Sequence, residues 1–199
     1  MKMNNQRIGE ISRQTEETNI KLKLNIDGAG NYKINTGVGF FDHMLALFAR
    51  HGSFDLELIA QGDLHVDAHH TVEDTGICLG RALKAALGEK SGITRFGHAL
   101  VPMDEALAMV AVDISGRGYL VFEISGPTIR RGEFAPELVE EFLRALTVNG
   151  EFTLHVRLLA GRNSHHICEA VFKALGRALR DALSFDRRQQ GVPSTKGLL

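Results

Sequence analysis

Asp67-Ala68-His69-His70-Thr71-Val72-Glu73-Asp74 has a second copy in Asn163-Ser164-His165-His166-Ile167-Cys168-Glu169-Ala170, 96 residues further on. Both copies read His-His-x-x-Glu. On a helix the first His and the Glu stand four residues apart and the second His and the Glu three apart, so each copy sets at least two of these side chains on one face. Imidazole nitrogen and carboxylate oxygen together suit a borderline divalent ion such as manganese, zinc or iron. One such copy is commonly a polar helix start. Two copies of one spacing hold four of the nine histidines and supply half-ligand sets for two ions.

The duplication extends outward from the motif. Gly52-Ser53-Phe54-Asp55-Leu56 aligns with Gly150-Glu151-Phe152-Thr153-Leu154 at an offset of 98, and Gly80-Arg81-Ala82-Leu83 with Gly176-Arg177-Ala178-Leu179 at 96. The shared order of these signals predicts a tandem duplication of roughly 80 residues per unit. Within the first half, Lys21–Ile26 and Asn31–Asn35 alternate around Asp27-Gly28-Ala29-Gly30 and predict a hairpin. A helix follows over Phe41–Arg50, a strand over Ser53–Ile59, and a helix over about Thr71–Glu89. In the second half, strands are expected at Ala106–Ile114 and Gly118–Ile124, a helix over Pro136–Thr147 with a first-turn proline, a strand at Glu151–Leu159 and a helix over His165–Leu183. The fold class is α+β, two copies of a β-β-α-β-α unit. We divide the chain into residues 1–92 and 93–199, the second half ending in a tail, within one compact domain.

Composition sets the broad class. A chain of 199 residues, 44% hydrophobic and 24% charged, can bury a full core. A net charge of -1 argues against general affinity for nucleic acid or membrane, so anion binding must come from a few placed basic residues. Cys78 and Cys168 lie in apolar helical patterns without CxxC spacing and read as buried, reduced thiols. The polar N-terminus and the absence of a long apolar run point to a cytoplasmic location.

The repeat also generates candidates. His43 on the first short helix maps onto Glu141 on its counterpart, giving eight possible metal ligands: His43, His69, His70, Glu73, Glu141, His165, His166 and Glu169. Exchange between pseudo-equivalent halves suggests His43, His70, His165 and Glu169 on one ion and His69, Glu73, Glu141 and His166 on the other. Asp67 and Asp74 flank the first copy and could orient imidazoles, while His155, mid-strand, reads as a solvent-facing polar residue. Arg95 and Arg117 sit beside glycines, where a guanidinium can fork onto phosphate. The tail Gly191–Leu199, with Ser194, Thr195 and Lys196, can fold over an anion.

These motifs, with Phe40-Phe41-Asp42-His43-Met44, Pro102-Met103-Asp104-Glu105-Ala106, Asp113-Ile114-Ser115-Gly116-Arg117 and Pro193-Ser194-Thr195-Lys196-Gly197, resemble imidazoleglycerol-phosphate dehydratase of histidine biosynthesis, in its monofunctional form. The resemblance runs from about Arg13 to the C-terminus. It implies a lyase with two Mn2+ per active site that converts D-erythro-imidazole glycerol phosphate to imidazole acetol phosphate and water. It also implies ferredoxin-like halves with helices on one face of mixed sheets, and a homo-oligomeric shell of 24 subunits with sites between subunits. Carried over by motif, Glu17, His43, Arg95, Arg117, Ser194, Thr195 and Lys196 contact substrate, with Glu17 the first candidate for proton transfer and Asp104 the second. Glu141 is a departure, since several members of the family have His there. Two other readings use the same residues: a dinuclear metallohydrolase of a small phosphorylated metabolite, and a non-enzymatic metal-binding shell protein.

Overall fold

The first half runs β1 (Ile8–Gln14), β2 (Thr18–Asn25), β3 (Tyr32–Asn35), α1 (Gly39–Gly52), β4 (Asp55–Gly62) and α2 (His69–Leu87). The second runs β5 (Phe96–Met103), β6 (Ala106–Asp113), β7 (Tyr119–Glu123), α3 (Pro136–Gly150), β8 (Thr153–Ala160) and α4 (Ser164–Leu183). The computed structural model describes residues 6–124 and 136–199, without the side chain of Pro136. Each half forms a four-stranded mixed sheet, in the orders β1-β2-β4-β3 and β5-β6-β8-β7. The α+β class and the tandem halves are as expected, but each half opens with one strand more than β-β-α-β-α.

Those leading strands carry little hydrophobic signal. The inward residues of β1 include Gly9 and Ile11, and those of β5 Gly97 and Ala99. A side chain at Gly9 would run into the carbonyl of Ala82, and one at Gly97 into that of Ala178, because each strand presses directly on a helix. Small residues are required there, and they blur the alternation.

The expected hairpin of Lys21–Ile26 with Asn31–Asn35 does not form. β2 pairs with β1 through the Thr15–Thr18 turn, and β4 inserts between β2 and β3, antiparallel to the first and parallel to the second. The Asp27–Asn31 link instead wraps the start of β4. The backbone N–H groups of Ala29 and Asn31 donate to Asp55 Oδ1 at 3.0 and 2.9 Å. Likewise β6 and β7, consecutive in sequence, are separated by β8.

Alternation fixes which face is buried. Ile20, Leu22 and Leu24 of β2 and Leu56, Leu58 and Ala60 of β4 turn inward, as do Ala108, Val110 and Val112 of β6 and Leu154 and Val156 of β8. α1 and α2 cover the first sheet, α3 and α4 the second, and the helices then pair across the halves, α1 on α4 and α2 on α3. The result is a sheet, two facing layers of helices, and a sheet around one core. Phe142 stands at its middle, edge-on to Phe41 at 5.3 Å and stacked on Phe172 at 5.5 Å.

The two helix crossings are built alike. A Cβ on Gly80 would lie 2.6 Å from the carbonyl oxygen of Leu146 and 2.8 Å from the nitrogen of Gly150; on Gly176 it would lie 2.5 Å from the oxygen of Phe48 and 2.9 Å from the nitrogen of Gly52. Backbone cannot yield as a side chain can. Gly176→Ala is therefore expected to cost about 3 kcal/mol of overpacking, against a gain of roughly 1 kcal/mol in helix propensity. The net loss lowers Tm by roughly 4–8 °C in a chain of this size. Gly39→Ala, with nothing within 4 Å, is the control, and equal melting of both variants in a thermal scan would refute the close crossing.

Among the described residues no helix is long and apolar enough to cross a membrane.

Candidate active site

Each His-His-x-x-Glu motif opens a helix, and a polar side chain two residues before the first histidine accepts from that histidine's backbone N–H; in α4 it is the N-cap itself, in α2 it precedes the N-cap Ala68. Asp67 accepts from the backbone N–H of His69 at 2.7 Å, and Asn163 from that of His165 at 2.9 Å. The histidine pairs therefore occupy the first turns of α2 and α4. Asp67 thus bonds to the backbone at the helix start, and among the described residues it accepts from no imidazole.

In the second half the motif closes into a cluster. His43 of α1 reaches across the α1/α4 crossing, so its Nε2 lies 3.0 Å from Glu169 Oε1, while His165 Nε2 lies 2.9 Å from the same oxygen. The ligating atoms of His43, His165 and Glu169 all fall within 4.8 Å of one another. Phe40 stands edge-on to the His165 ring at 5.1 Å. Glu169 Oε2 accepts from Lys173 Nζ at 2.6 Å. Burial pushes the Glu169 carboxyl up, but the Lys173 ammonium and the bonds from His43 and His165 outweigh it and hold the group down at about 2. The carboxylate is ionised and the imidazoles are nearly half exposed, at 46% and 49%. Two imidazole nitrogens and one carboxylate oxygen open to one side fit a borderline divalent ion.

The first half is looser. His69 Nε2 lies 3.8 Å from Glu73 Oε2, both side chains being about 45% exposed, and among the described residues no lysine backs the carboxylate. Glu141 lies on α3, the partner of α2. It does not close on His69 and Glu73 as His43 closes on its pair: among the described residues the His43 cluster is the one such group of three. His70 stands apart from that cluster. Its Nδ1 lies 2.9 Å from Asp63 Oδ2 and its Nε2 3.6 Å from Glu17 Oε1. His166 repeats this arrangement, with Nδ1 2.7 Å from Glu105 Oε2 and Nε2 3.7 Å from Asp104 Oδ2. The hydrogen bond to Asp63 raises the pKa of His70, and that to Glu105 raises the pKa of His166. The His166 ring N–H, then the backbone N–H groups of Asn163 and Arg162, hold the Glu105 carboxyl down at about 2.

Glu17 rides on the β1–β2 turn, which is tied to α2. Thr15 Oγ1 accepts from the backbone N–H groups of Glu17 and Thr18 at 3.2 and 2.9 Å. Thr18 Oγ1 donates to Asp74 Oδ2, and the other oxygen of Asp74 pairs with Arg13 at 2.9 Å. Asp74 therefore anchors this turn and touches no imidazole. Asp63, Glu105 and Lys173 were missed in the sequence. Lys173 has a local signal, four residues after Glu169; Asp63 and Glu105 meet their histidines only through the fold.

The anion-binding candidates gather at the far end of α4. The backbone N–H groups of Thr94 and Arg95 donate to the carbonyls of Ser184 and Ala182, both at 2.8 Å. Arg95 forks onto Asp113 at 2.7 and 3.3 Å and donates through Nη1 to the carbonyl of Pro193 at 2.8 Å, which draws in the tail. Gly116, beside Arg117, packs so closely on Leu199 that a Cβ there would lie 2.6 Å from its carbonyl carbon. Arg95, Arg117 and the segment bearing Ser194, Thr195 and Lys196 thus lie near one another. The 20 residues of α4 separate them from His165, on the order of 30 Å. His155 is exposed on β8, as read.

Known proteins share this fold. The imidazoleglycerol-phosphate dehydratase family model matches residues 36–179. Imidazoleglycerol-phosphate dehydratase of Desulforudis audaxviator is 62% identical over 193 residues, covering 97% of this chain and 98% of that protein. The crystal structure of the Pyrococcus furiosus enzyme in complex with (S)-C348 superposes with a TM-score of 0.83 at 40% identity, over 95% of this chain and 100% of that one. The Staphylococcus aureus enzyme gives 0.80 at 43% identity, over 90% and 99%. The sequence motifs, the paired sheets and these likenesses agree: the chain belongs to the imidazoleglycerol-phosphate dehydratase family, the hydro-lyases of histidine biosynthesis.

Proposed function

We propose that the chain carries out a metal-dependent dehydration of D-erythro-imidazole glycerol phosphate to imidazole acetol phosphate, with two Mn2+ per active site. The convergence of His43, His165 and Glu169 carries the metal dependence. In our reading His70 joins that set across a subunit interface, and His69, Glu73, Glu141 and His166 come together in the same way to hold the second ion. When bound, such ions supply Lewis-acid polarisation and a template for ring and hydroxyl. The chain's own groups do the rest. The hydroxyl next to the ring leaves as water with the ring N–H proton; Glu17 takes the proton from the carbon of the central hydroxyl and returns it to the carbon next to the ring, and the enol hydroxyl gives its proton back to the ring nitrogen. Arg95, Arg117, Ser194, Thr195 and Lys196 hold the phosphate, whose ester bond stays intact.

The separation of phosphate-binding residues from metal ligands by the length of α4 supports sites completed between subunits. No phosphorylated three-carbon chain spans on the order of 30 Å. Apolar side chains left exposed on the sheets support assembly into the 24-subunit shell: Phe96, Leu100, Tyr119 and Leu159 of the second half are each more than 50% exposed, and Tyr32 and Ile59 of the first are 53% and 50% exposed. Cys78 and Cys168, both free, buried and pushed up to about 11 by burial, accord with a reducing cytoplasm.

Manganese-loaded protein incubated with the substrate is expected to form the keto product with no free phosphate. Release of inorganic phosphate would instead favour a hydrolase, and an assembled, loaded sample without turnover would leave a non-enzymatic metal protein.

A further inference from the structure

The turns that carry Glu17 and Glu105 are equivalent by structure. β1 and β5 press Gly9 and Gly97 on matching helix positions, Ala82 and Ala178, and their hairpins share one register, Gln14 opposite Asn19 and Pro102 opposite Leu107. Glu16 and Glu17 therefore correspond to Asp104 and Glu105. The two glutamates are nevertheless used differently.

In the first half the Nδ1 partner of His70 is Asp63, directly after β4. An ionised carboxylate only accepts, so the ring carries its hydrogen on Nδ1 and turns Nε2 toward Glu17. Glu17 is left 53% exposed, and its nearest imidazole nitrogen is 3.6 Å away, beyond a hydrogen bond. The corresponding position after β8 is Gly161, which has no carboxylate to offer. Glu105 fills the gap. Its Oε2 accepts from His166 Nδ1 at 2.7 Å, and its Oε1 accepts from the backbone N–H groups of Arg162 and Asn163 at 3.1 and 2.7 Å. One tautomer is thus imposed in both halves by residues at non-equivalent places. Asp63 adds a second sign: its Oδ1 is buried without a hydrogen-bond partner, an arrangement that folding alone disfavours.

We propose that Asp63 and Glu105 are positioning residues that hold His70 and His166 with Nε2 free to ligate, and that this leaves Glu17, but not its counterpart Glu105, available for proton transfer. The inference rests on the two-metal reading above. The variants separate because the two carboxylates differ in their second oxygen. Asn at 63 can turn its amide nitrogen to the unpartnered side and still accept from His70. Gln at 105 has one acceptor oxygen for two sets of N–H donors, so it loses one set or forces its NH2 onto the imidazole and moves the ring hydrogen to Nε2.

Metal-free, assembled protein is titrated with Mn2+ alone, and free ion is followed by its EPR signal. Glu105→Gln is expected to weaken one ion by about 10–100-fold, and Asp63→Ala the other by the same factor, the usual effect of losing an outer-shell partner. Asp63→Asn is expected to bind as wild type does. Wild-type affinity in Glu105→Gln overturns the proposal, and so does equal weakening by Asp63→Asn and Asp63→Ala. Glu105→Gln keeps the side-chain volume and decides the matter if Asp63→Ala does not assemble. Wild-type protein that binds no Mn2+ would overturn the two-metal reading, and this inference with it.

Discussion

Glu17→Gln is expected to lower kcat by about 10²–10⁴-fold, the range for a positioned acid-base group, while metal content and melting temperature stay at wild-type values. The side chain is half exposed and makes no hydrogen bond among the described residues, and the turn beneath it is held by Thr15, Thr18, Asp74 and Arg13. Glutamine keeps the shape and loses only the capacity to take and return a proton. KM should therefore move far less than kcat. Steady-state assays of keto product, with metal measured on the same samples, test this directly. Turnover within a few fold of wild type would remove Glu17 from the proton-transfer role.

Glu169→Ala should be the most damaging change at the cluster of His43, His165 and Glu169, and its effect reaches stability as well as turnover. The carboxylate is 10% exposed and accepts from His43, His165 and Lys173 together. Without it the ammonium of Lys173, itself 16% exposed, has lost its carboxylate beside two imidazoles. Breaking such a pair from one side costs about 3–5 kcal/mol, so Tm of the metal-free protein should fall by on the order of 10 °C. The matching change in the other motif, Glu73→Ala, removes a side chain that is 45% exposed and unbacked by lysine, and should shift Tm little. Adding Lys173→Met to Glu169→Ala should restore much of the lost stability but none of the metal binding. Equal melting of Glu169→Ala and Glu73→Ala would show that the Lys173 pair contributes nothing.

The contrast between these glutamates explains what could be read from the chain alone. The motifs, the helices that carry them and the tandem order were legible because their signals are local: a cap, an i,i+4 spacing, an apolar stripe. β1 and β5 were hidden because Gly9 and Gly97 answer to a neighbouring helix. The strand order was misread at Asp27–Asn31, where glycines that look like a hairpin turn in fact wrap Asp55. In the site, the pairing of His43 with Glu169 follows from the repeat. Asp63 and Glu105 do not, since each half recruits a different carboxylate for the same task. No pattern within a window of sequence could carry that.

The reciprocal helix crossings have a further bearing on how this architecture tolerates change. His43 comes from the first half and its companions from the second, so a cut between Leu87 and Phe96 would divide the cluster and strip each piece of its facing helix layer. One unit present twice as separate chains would rebuild both crossings, but as a symmetric pair its two ends would be bound to stay identical. Covalent linkage lifts that constraint. A glycine at 161 opposite an aspartate at 63, or an alanine at 170 opposite an aspartate at 74, alters one end and leaves the other untouched. The join between the halves is thus what permits a single chain to leave the carboxylate of Glu17 open at one turn and to commit that of Glu105 to His166 at its twin.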